Sequence, residues 1–263
     1  MKKLQALILM EFQHFGEYRG DVLVYTLSSI ITPIVLLNVW LAIAQAKGFG
    51  YNETAYLVQY FFVQVVVNIF ISTWQGQFLS NAIRTGEISA HLLKPYPYMM
   101  VYIANNIGEK FWKIIFSSGA LVILFVMYRE YLNIPLWQTL VPSVLVVFLS
   151  AVLRFIWSHI LGLSGFWTAN MYAIRDYNQM LYNLFSGVLF PLKYATQVIP
   201  AGLFLVLPYP YMLGFPINVI LGKVTQAELL QGICIQILWI IFFYCVYRLL
   251  WNKGLKRYGG YGG

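Results

Sequence analysis

The stretch Val22–Ala44, VLVYTLSSIITPIVLLNVWLAIA, contains no charged residue. Three further segments have nearly the same composition, and they are Thr54–Asn81, Leu136–Trp167 and Leu229–Tyr247. The only basic side chains within all four are Arg154 and His159, and no acidic one occurs. A bilayer core about 30 Å thick is crossed by about 20 apolar helical residues. A soluble domain would not combine 60% apolar with 10% charged residues, so the composition predicts a polytopic membrane protein.

Two weaker spans bring the predicted total to six. Ile114–Tyr128 is uncharged and extends backwards through Met99–Lys113, a stretch that carries charges. Tyr177–Phe190 is only about 21 Å long at 1.5 Å per residue, and Pro191 follows it. Spans of this length are predicted to be helices, because backbone groups inside lipid must be satisfied within the segment. The predicted fold class is all-α, a polytopic integral membrane protein with a single transmembrane domain over residues 1–263.

The net charge of +8 is divided unequally between the two sides of this six-span layout. One side collects twelve basic residues, which are Lys2, Lys3, Arg19, Arg84, Lys94, Lys110, Lys113, Arg175, Arg248, Lys253, Lys256 and Arg257. The opposite side has only Lys47, Arg129, Lys193 and Lys223, while Arg154 lies within a span. The basic excess predicts that both termini lie in the cytoplasm. It also favours attraction to anionic lipid headgroups over binding of nucleic acid.

The first twenty residues have the pattern of an amphipathic helix. Their apolar residues recur at three- and four-residue spacing, and they are Leu4, Leu7, Ile8, Phe12 and Phe15. We expect an N-terminal helix that lies in the inner membrane interface and enters the first span at Gly20. The alternative is a cytoplasmic extension of the first transmembrane helix.

Several kinds of catalytic chemistry lack their residues in this chain. Cys234 and Cys245 are about 16 Å apart along one predicted helix, which is beyond disulfide reach. The three histidines are scattered without zinc-ligand spacing, and no G-x-x-x-x-G-K-[ST] phosphate-binding loop occurs. The sequence therefore predicts no catalytic residue, no metal site and no ATP site of this type.

Charged residues inside the predicted spans require a partner or a wet surface. Glu109 has Lys113 one helical turn later, at ion-pair spacing, and a proton relay is the alternative interpretation. Arg154 would extend to the inner interface if the fourth span ended near Leu161. If that helix continued to Trp167, Arg154 would lie near mid-depth and face protein or a substrate path.

The connection after the second span has the sequence RTGEISAHLLKPYPY over Arg84–Tyr98. Gly86 is expected to end the preceding helix, Glu87 suits the first turn of a new one, and Pro95 and Pro97 stop it. The apolar residues predicted to share one side of this short helix are Ile88, Leu92 and Leu93. Such a helix favours docking into a groove of a soluble partner, and a helix lying flat on the membrane is the alternative.

The outward stretch Leu184–Gly222 is apolar but interrupted by five of the ten prolines, which are Pro191, Pro200, Pro208, Pro210 and Pro216. It is too apolar for an exposed loop and too rich in proline for a spanning helix. We expect two short re-entrant helices, near Val198–Val206 and Tyr211–Leu221, that dip into the outer leaflet and return.

The order of these elements resembles the ABC-2-type permeases, the membrane subunits of a large class of ABC exporters. That family has an N-terminal interfacial helix, six spans and a coupling helix, commonly within a pattern like R-x-x-G-x-x-E-x-L-L-x-x-P. This chain matches it with Arg84, Gly86, Glu87, Leu92, Leu93 and Pro95. Glu87 follows Gly86 more closely than in the common pattern.

A second pattern of that family, like L-S-G-x-x-F-P-L, leads from the fifth span into outer re-entrant helices. Its counterpart here is FSGVLFPL at Phe185–Leu192. Together with FWT at Phe166–Thr168 and the glycine-rich end, the chain is similar to a bacterial branch of permeases of comparable length.

The resemblance implies a membrane-spanning permease subunit of an ATP-driven exporter in the bacterial inner membrane. It implies two separate ATPase subunits that hold ATP and Mg, a second permease chain, identical or homologous, and no cofactor in this chain. The implied ATPase-coupling interface consists of Arg84, Gly86, Glu87, Ile88, Leu92, Leu93, Lys94 and Pro95. The substrate path would lie where the two permeases meet, with the five outer prolines as a gate and Arg154 as a path or structural charge.

Two other functions stay open on the residues alone. An ATP-independent secondary transporter or channel would be favoured by intramembrane acidic residues or an inverted repeat, and neither is detected in the sequence. An integral membrane enzyme would require a cluster of His, Asp and Glu at a membrane face, and none is evident in the sequence.

Overall fold

The computed structural model describes residues 2–132, 137–168, 171–196 and 200–259. Helices account for most of these residues, and no strand occurs among them, in agreement with the predicted all-α class. In chain order the helices are α1 (Lys2–Glu17), α2 (Arg19–Ala46), α3 (Tyr51–Ile71), α4 (Gln75–Thr85), α5 (Ile88–Leu92), α6 (Tyr98–Tyr128), α7 (Trp137–Gly162), α8 (Met171–Phe185), α9 (Leu192–Ala195), α10 (Ala201–Val206), α11 (Tyr209–Met212), α12 (Gly214–Ile220) and α13 (Gln226–Arg257). A 3₁₀ turn, Leu163–Phe166, continues the end of α7.

Five helical stretches of the described residues are long and apolar enough to cross a membrane, and they are Arg19–Ala46, Tyr51–Thr85, Tyr98–Tyr128, Thr139–Phe166 and Gln226–Arg257. They coincide with five of the six predicted spans. The other predicted span, Tyr177–Phe190, falls on α8, which is helical only from Met171 to Phe185. The helices support a multi-pass membrane protein, and the six-span layout stays a prediction.

Helix α3 is the most enclosed of the candidate spans. In its most apolar window 72% of the residues are buried, against 17–28% in the other four. Its completely buried side chains include Leu57, Tyr60 and Phe61. Helices α2, α6, α7 and α12 pack around it. Helix α3 therefore forms the centre of the bundle, while α2, α6 and α7 keep an exposed apolar face that suits lipid.

The N-terminal residues form a separate helix. Helices α1 and α2 are divided at Tyr18, close to the junction predicted at Gly20. Helix α1 lies along α6, where Trp112 Nε1 donates a 2.9 Å hydrogen bond to the carbonyl oxygen of Phe12. Helix α1 is thus divided from the first span at Tyr18 and, like α2, packs against α6. Its position in the membrane interface stays a prediction.

The outer segment is divided into short helices, as its prolines predict. The prolines that stand immediately before α9, α10 and α11 are Pro191, Pro200 and Pro208. Pro210 lies in α11 and Pro216 in α12. Helix α10 falls within the first predicted re-entrant helix, although Val198 lies outside the described residues, and the second is divided at Leu213 into α11 and α12. Their entry into the outer leaflet stays a prediction.

Candidate functional site

The loop after α4 turns at Gly86, which has a φ of +82°. This left-handed backbone conformation favours glycine, because glycine has no Cβ to clash with the backbone. Helix α4 therefore ends at Thr85 and α5 begins at Ile88, as Gly86 and Glu87 predict. The five-residue α5 ends before Pro95.

The three apolar residues predicted to share one side, Ile88, Leu92 and Leu93, differ in exposure, and Leu93 lies just beyond the end of α5. Ile88 is completely buried in the core, whereas Leu92 is 40% and Leu93 88% exposed. Because α5 has little more than one turn, its first residue anchors the loop while its end projects outward. The exposed predicted coupling residues are Arg84, Glu87, Leu92, Leu93, Lys94 and Pro95. The loop thus presents an apolar tip beside charges of both signs.

The loop is held by the start of α6 and the end of α13. The hydroxyl oxygens of Ser89 and Tyr258 are 3.0 Å apart in a hydrogen bond. Tyr98 stacks on Trp251, with 5.9 Å between the ring centroids. The sequence analysis missed Tyr258 and Trp251, because no local pattern connects the end of the chain with this loop.

His91 lies between the charged residues of the loop. Its Nε2 is 3.9 Å from Glu87 Oε1, and its ring packs against Tyr98 with 5.3 Å between centroids. Burial lowers the pKa of His91, and the nearby Lys94 lowers it further, while Glu87 opposes both effects. The imidazole is therefore biased toward its neutral form. The sequence analysis assigned His91 no role.

A cavity of about 350 Å³ lies between α1, α4, α5 and α6. Its lining includes Leu7, Phe78, Glu87 and Lys94. Next to the loop, Lys3 Nζ donates a 3.1 Å hydrogen bond to the carbonyl oxygen of Pro95. Segments at the beginning of the chain and after the second span thereby form one surface. We call it the α1–loop surface and define it as α1 together with residues 84–95.

Arg154 has its partner on α8. Its Nη1 donates a hydrogen bond to the Tyr182 hydroxyl, and its guanidinium carbon lies 4.1 Å from the centre of the Tyr182 ring. Helix α7 continues past Leu161 to Gly162, and the 3₁₀ turn continues to Phe166. Because the Arg154 guanidinium contacts Tyr182, the structure agrees with the interpretation of Arg154 as a structural charge. Its place on a substrate path stays a prediction.

The ion pair predicted from Glu109 and Lys113 is present. The carboxylate oxygen and the ammonium nitrogen are 2.5 Å apart, and both side chains are 3% exposed. Lys113 Nζ also donates a 2.8 Å hydrogen bond to the Ser72 hydroxyl. The pair is therefore enclosed within the bundle, and a carboxylate neutralised in this way gives no support to a proton relay.

The start of the outer segment is bound to α2 and α3. Lys193 Nζ lies 2.5 Å from Glu53 Oε2, and the Tyr194 hydroxyl donates a 2.9 Å hydrogen bond to the same oxygen. Burial raises the pKa of the Tyr194 phenol, and its hydrogen bond to Glu53 raises it further. Trp40 Nε1 donates a 2.9 Å hydrogen bond to the Leu189 carbonyl oxygen. These contacts join residues far apart in the chain, so the sequence analysis did not find them.

Long apolar helices around a buried α3, with charged loops at their ends, define a polytopic helical membrane protein. Within the ranges that the structure describes, no group of three or more His, Cys, Asp or Glu side chains could hold a metal ion. A family model described as "ABC-2 family transporter protein" matches residues 22–262. The chain belongs to this family, which confirms the resemblance.

No curated protein and no solved structure matches the chain. Membership of the ABC-2 family defines a transporter permease, ordinarily a non-catalytic membrane subunit that associates with ABC-type ATPase subunits. The α1–loop surface contains the residues predicted to contact an ATPase subunit.

Proposed function

We propose that this chain is the membrane-spanning permease subunit of an ATP-driven ABC exporter. Two ATPase subunits would bind beneath a pair of permease chains in the bacterial inner membrane, with both permease termini in the cytoplasm. ATP and Mg would be held by the ATPase subunits, because this sequence contains no phosphate-binding loop motif. Family membership supports the class of protein, and the α1–loop surface supports the coupling.

The observation that carries this proposal is the anchoring and exposure of the loop after α4. Ile88 is buried in the core while Leu93 is 88% exposed at the loop's end. A large apolar side chain displayed on an anchored loop suits an apolar groove on a soluble partner. Since the core takes up Ile88, α5 lacks the continuous apolar side that a helix lying flat on lipid requires. The charged residues Glu87 and Lys94 lie near this apolar side chain, and they could orient a partner that carries complementary charges.

Coupling would work by moving this surface. ATP binding would bring the two ATPase subunits together, and the docked loops would move with them. A ligand shifts such an equilibrium only by its differential affinity for the two states, here that of ATP and its products on the partner. Because Lys3 binds the Pro95 carbonyl oxygen, the movement would reach α1 as well as α4.

The substrate path would lie at the contact between two permease chains, identical or homologous. Membrane lipid would surround this pair of chains. The outer segment containing Pro191, Pro200, Pro208, Pro210 and Pro216 would act as its outer gate. Its attachment supports this role, since the polar contacts of Glu53 with Lys193 and Tyr194 are replaceable by water. Proline-divided short helices can also move as separate pieces.

The test is purification of the tagged full-length chain from its native membranes in mild detergent, with mass spectrometry of stoichiometric partners. We expect a soluble subunit that carries a phosphate-binding loop. A second, different permease beside it would establish a heterodimer, and its absence a homodimer. Recovery of the chain alone, repeated under gentler solubilisation, would contradict the proposal and favour an ATP-independent transporter.

A further inference from the structure

The second candidate span is interrupted at Ser72–Trp74, between α3 and α4. Ser72 has an extended backbone, with a φ of −62° and a ψ of 142°, and the helix resumes at Gln75. A break in a helix frees backbone groups that need other partners when they are buried. The partners of those groups therefore hold the break in place.

Side chains of α6 bind Ser72, while the Gly76 N–H donates a 3.0 Å hydrogen bond to Ser158 Oγ of α7. Lys110 Nζ donates a 3.2 Å hydrogen bond to the Ser72 carbonyl oxygen, which Asn106 Nδ2 approaches at 3.4 Å. Lys113 Nζ donates a 2.8 Å hydrogen bond to the Ser72 hydroxyl. The two ammonium groups are held in turn by Asn106 Oδ1 and Glu109 Oε1, each at 2.5 Å.

Stability alone does not account for two lysines directed at one serine. Charges removed from water carry a large desolvation cost, and apolar residues of similar volume often replace a buried ion pair without loss of stability. Lys113 is buried and Lys110 half-buried, and charged side chains enclosed in this way are in some proteins retained for a specific arrangement of the chain and not for stability. Lys110 and Lys113 are therefore candidates for a functional role at the break between α3 and α4.

On one side of the break, α4 is packed tightly against the end of α7. A Cβ on Gly76 would lie 2.1 Å from the Ser158 carbonyl oxygen, and one on Gly162 would lie 2.6 Å from the Gly76 carbonyl oxygen. Helices approach this closely only where small residues meet. Gly254 of α13 lies equally close to Phe166 in the 3₁₀ turn. Helix α4 and its loop thus form one block with the ends of α7 and α13.

On the other side of the break, α3 is bound to the outer segment. The Tyr60 hydroxyl donates a 2.8 Å hydrogen bond to the Gly187 carbonyl oxygen, and Gln64 Nε2 donates one of 3.3 Å to the Val188 carbonyl oxygen. The outer segment is therefore joined to α3, whereas the loop directly follows α4. The two halves of the second span are connected through Ser72–Trp74.

We infer that Ser72–Trp74 is a hinge between the halves of the second span, and that Lys110 and Lys113 are positioning residues that set its angle. The inference rests on the proposed function, because the loop receives its movement from an ATPase. Movement of the loop tilts α4 against α3. In the second conformation the lysines make different contacts with Ser72, and these contacts set the new angle between α3 and α4. Helix α3 then transmits the change to the outer segment.

The hinge angle can be followed as the distance between spin labels on Asn52→Cys and Asn81→Cys. Both positions are exposed, one near the start of α3 and one on α4. The native cysteines Cys234 and Cys245 are exposed and are replaced by serine first. In the complex with its ATPase subunits, we expect the distance to differ by several ångströms between nucleotide-free and ATP-bound forms.

A label pair on Leu230→Cys and Leu249→Cys is the matched control, because α13 is continuous between these exposed positions. Its distance should be the same in both forms. An Asn52–Asn81 distance that does not respond to ATP would overturn the hinge. Failure of any ATPase to copurify would instead overturn the proposed function, whereas the distance distributions of lysine variants can still be measured in the chain alone.

Lys113→Met combined with Glu109→Gln removes both charges and leaves neither unpaired. We expect a broader Asn52–Asn81 distance distribution, and a roughly tenfold loss of transport per ATP hydrolysed in the complex. Lys113→Arg keeps the charge and should restore most of the coupling.

Ser72→Ala, which leaves both charges in place, tests the same contact should the double variant fail to fold, and it should also broaden the distribution. A lower melting temperature with an unchanged distance distribution and normal coupling would assign these residues a structural role only. That result would overturn the positioning role.

Discussion

Lys3 of the N-terminal helix donates a hydrogen bond to the carbonyl oxygen of Pro95, with 3.1 Å between the two atoms. Both residues are exposed, so the contact lies at the edge where α1 meets the loop. Helix α1 is in turn bound to α6 through Trp112 and Phe12. In the proposed exporter, α1 and the loop therefore act as one docking element.

Glu87→Arg should leave folding intact and uncouple transport from ATP hydrolysis. The Glu87 side chain is 62% exposed, so its replacement disturbs no core packing but reverses the charge at this position of the α1–loop surface. Melting temperature, ATPase activity and transport of the purified complex check the three parts of this prediction. Glu130→Arg makes the same change at an exposed position outside that surface and should transport normally. Normal transport by Glu87→Arg would contradict the coupling role.

Gly76→Ala should destabilise the protein by about 1–3 kcal/mol, the range of overpacked cores. The new Cβ would lie 2.1 Å from the Ser158 carbonyl oxygen, so α4 and α7 would have to move apart. Thermal unfolding in detergent measures the loss. Gly119→Ala is the control, because no atom lies within 4 Å of its added Cβ. Equal melting temperatures for the two variants would disprove the close packing of α4 on α7.

Arg154→Leu should lower stability by roughly 1–2 kcal/mol through loss of a partly desolvated cation–π contact with Tyr182. Tyr182→Phe removes the hydroxyl acceptor but keeps the ring, so it should cost less. A double-mutant cycle of the two changes measures their coupling. Unchanged transport by Arg154→Leu at normal expression would exclude a role for Arg154 in lining the substrate path.

The pH dependence of stability should contain a contribution from His91. Because burial lowers its pKa in the folded protein, the unfolded chain binds this proton more readily as pH falls below the usual value of 6.5. Well above that pH, His91 protonation has no effect on the free energy of unfolding. Below it, protonation of the unfolded chain lowers the free energy of unfolding. The Glu87 carboxylate at 3.9 Å attracts the protonated ring and limits this decrease, whereas Lys94 increases it.

His91→Gln should therefore lose less stability than the wild-type protein between about pH 7.5 and about pH 5.5. Melting temperatures of both proteins across this range measure the difference. At the upper end of the range the two curves should run parallel, because His91 is neutral there. A parallel course down to the lower end would refute the contribution of His91.

Much of the fold was predictable because hydrophobic length and charge are local properties of a chain. Val22–Ala44 is apolar over enough residues to cross a bilayer whatever surrounds it, and α2 spans that stretch. Gly86 ends α4, and Pro191, Pro200 and Pro208 stand at the starts of short outer helices, so these boundaries also follow from local backbone restrictions. The order of such elements was sufficient to indicate the ABC-2 family.

The sequence by itself determined the apolar spans, the helix ends at glycine and proline, and the ion-pair spacing of Glu109 and Lys113. Only the tertiary structure decided that the second span breaks at Ser72, since no proline or charge in Thr54–Asn81 indicates a break. At the break, lysines about 40 residues further along bind the carbonyl oxygen and the hydroxyl of Ser72. The inward position of Ile88 and the pairing of Arg154 with Tyr182 likewise depend on which helices pack together. Local patterns carry no information on such pairings, because the partners are distant in sequence and meet only in the folded bundle.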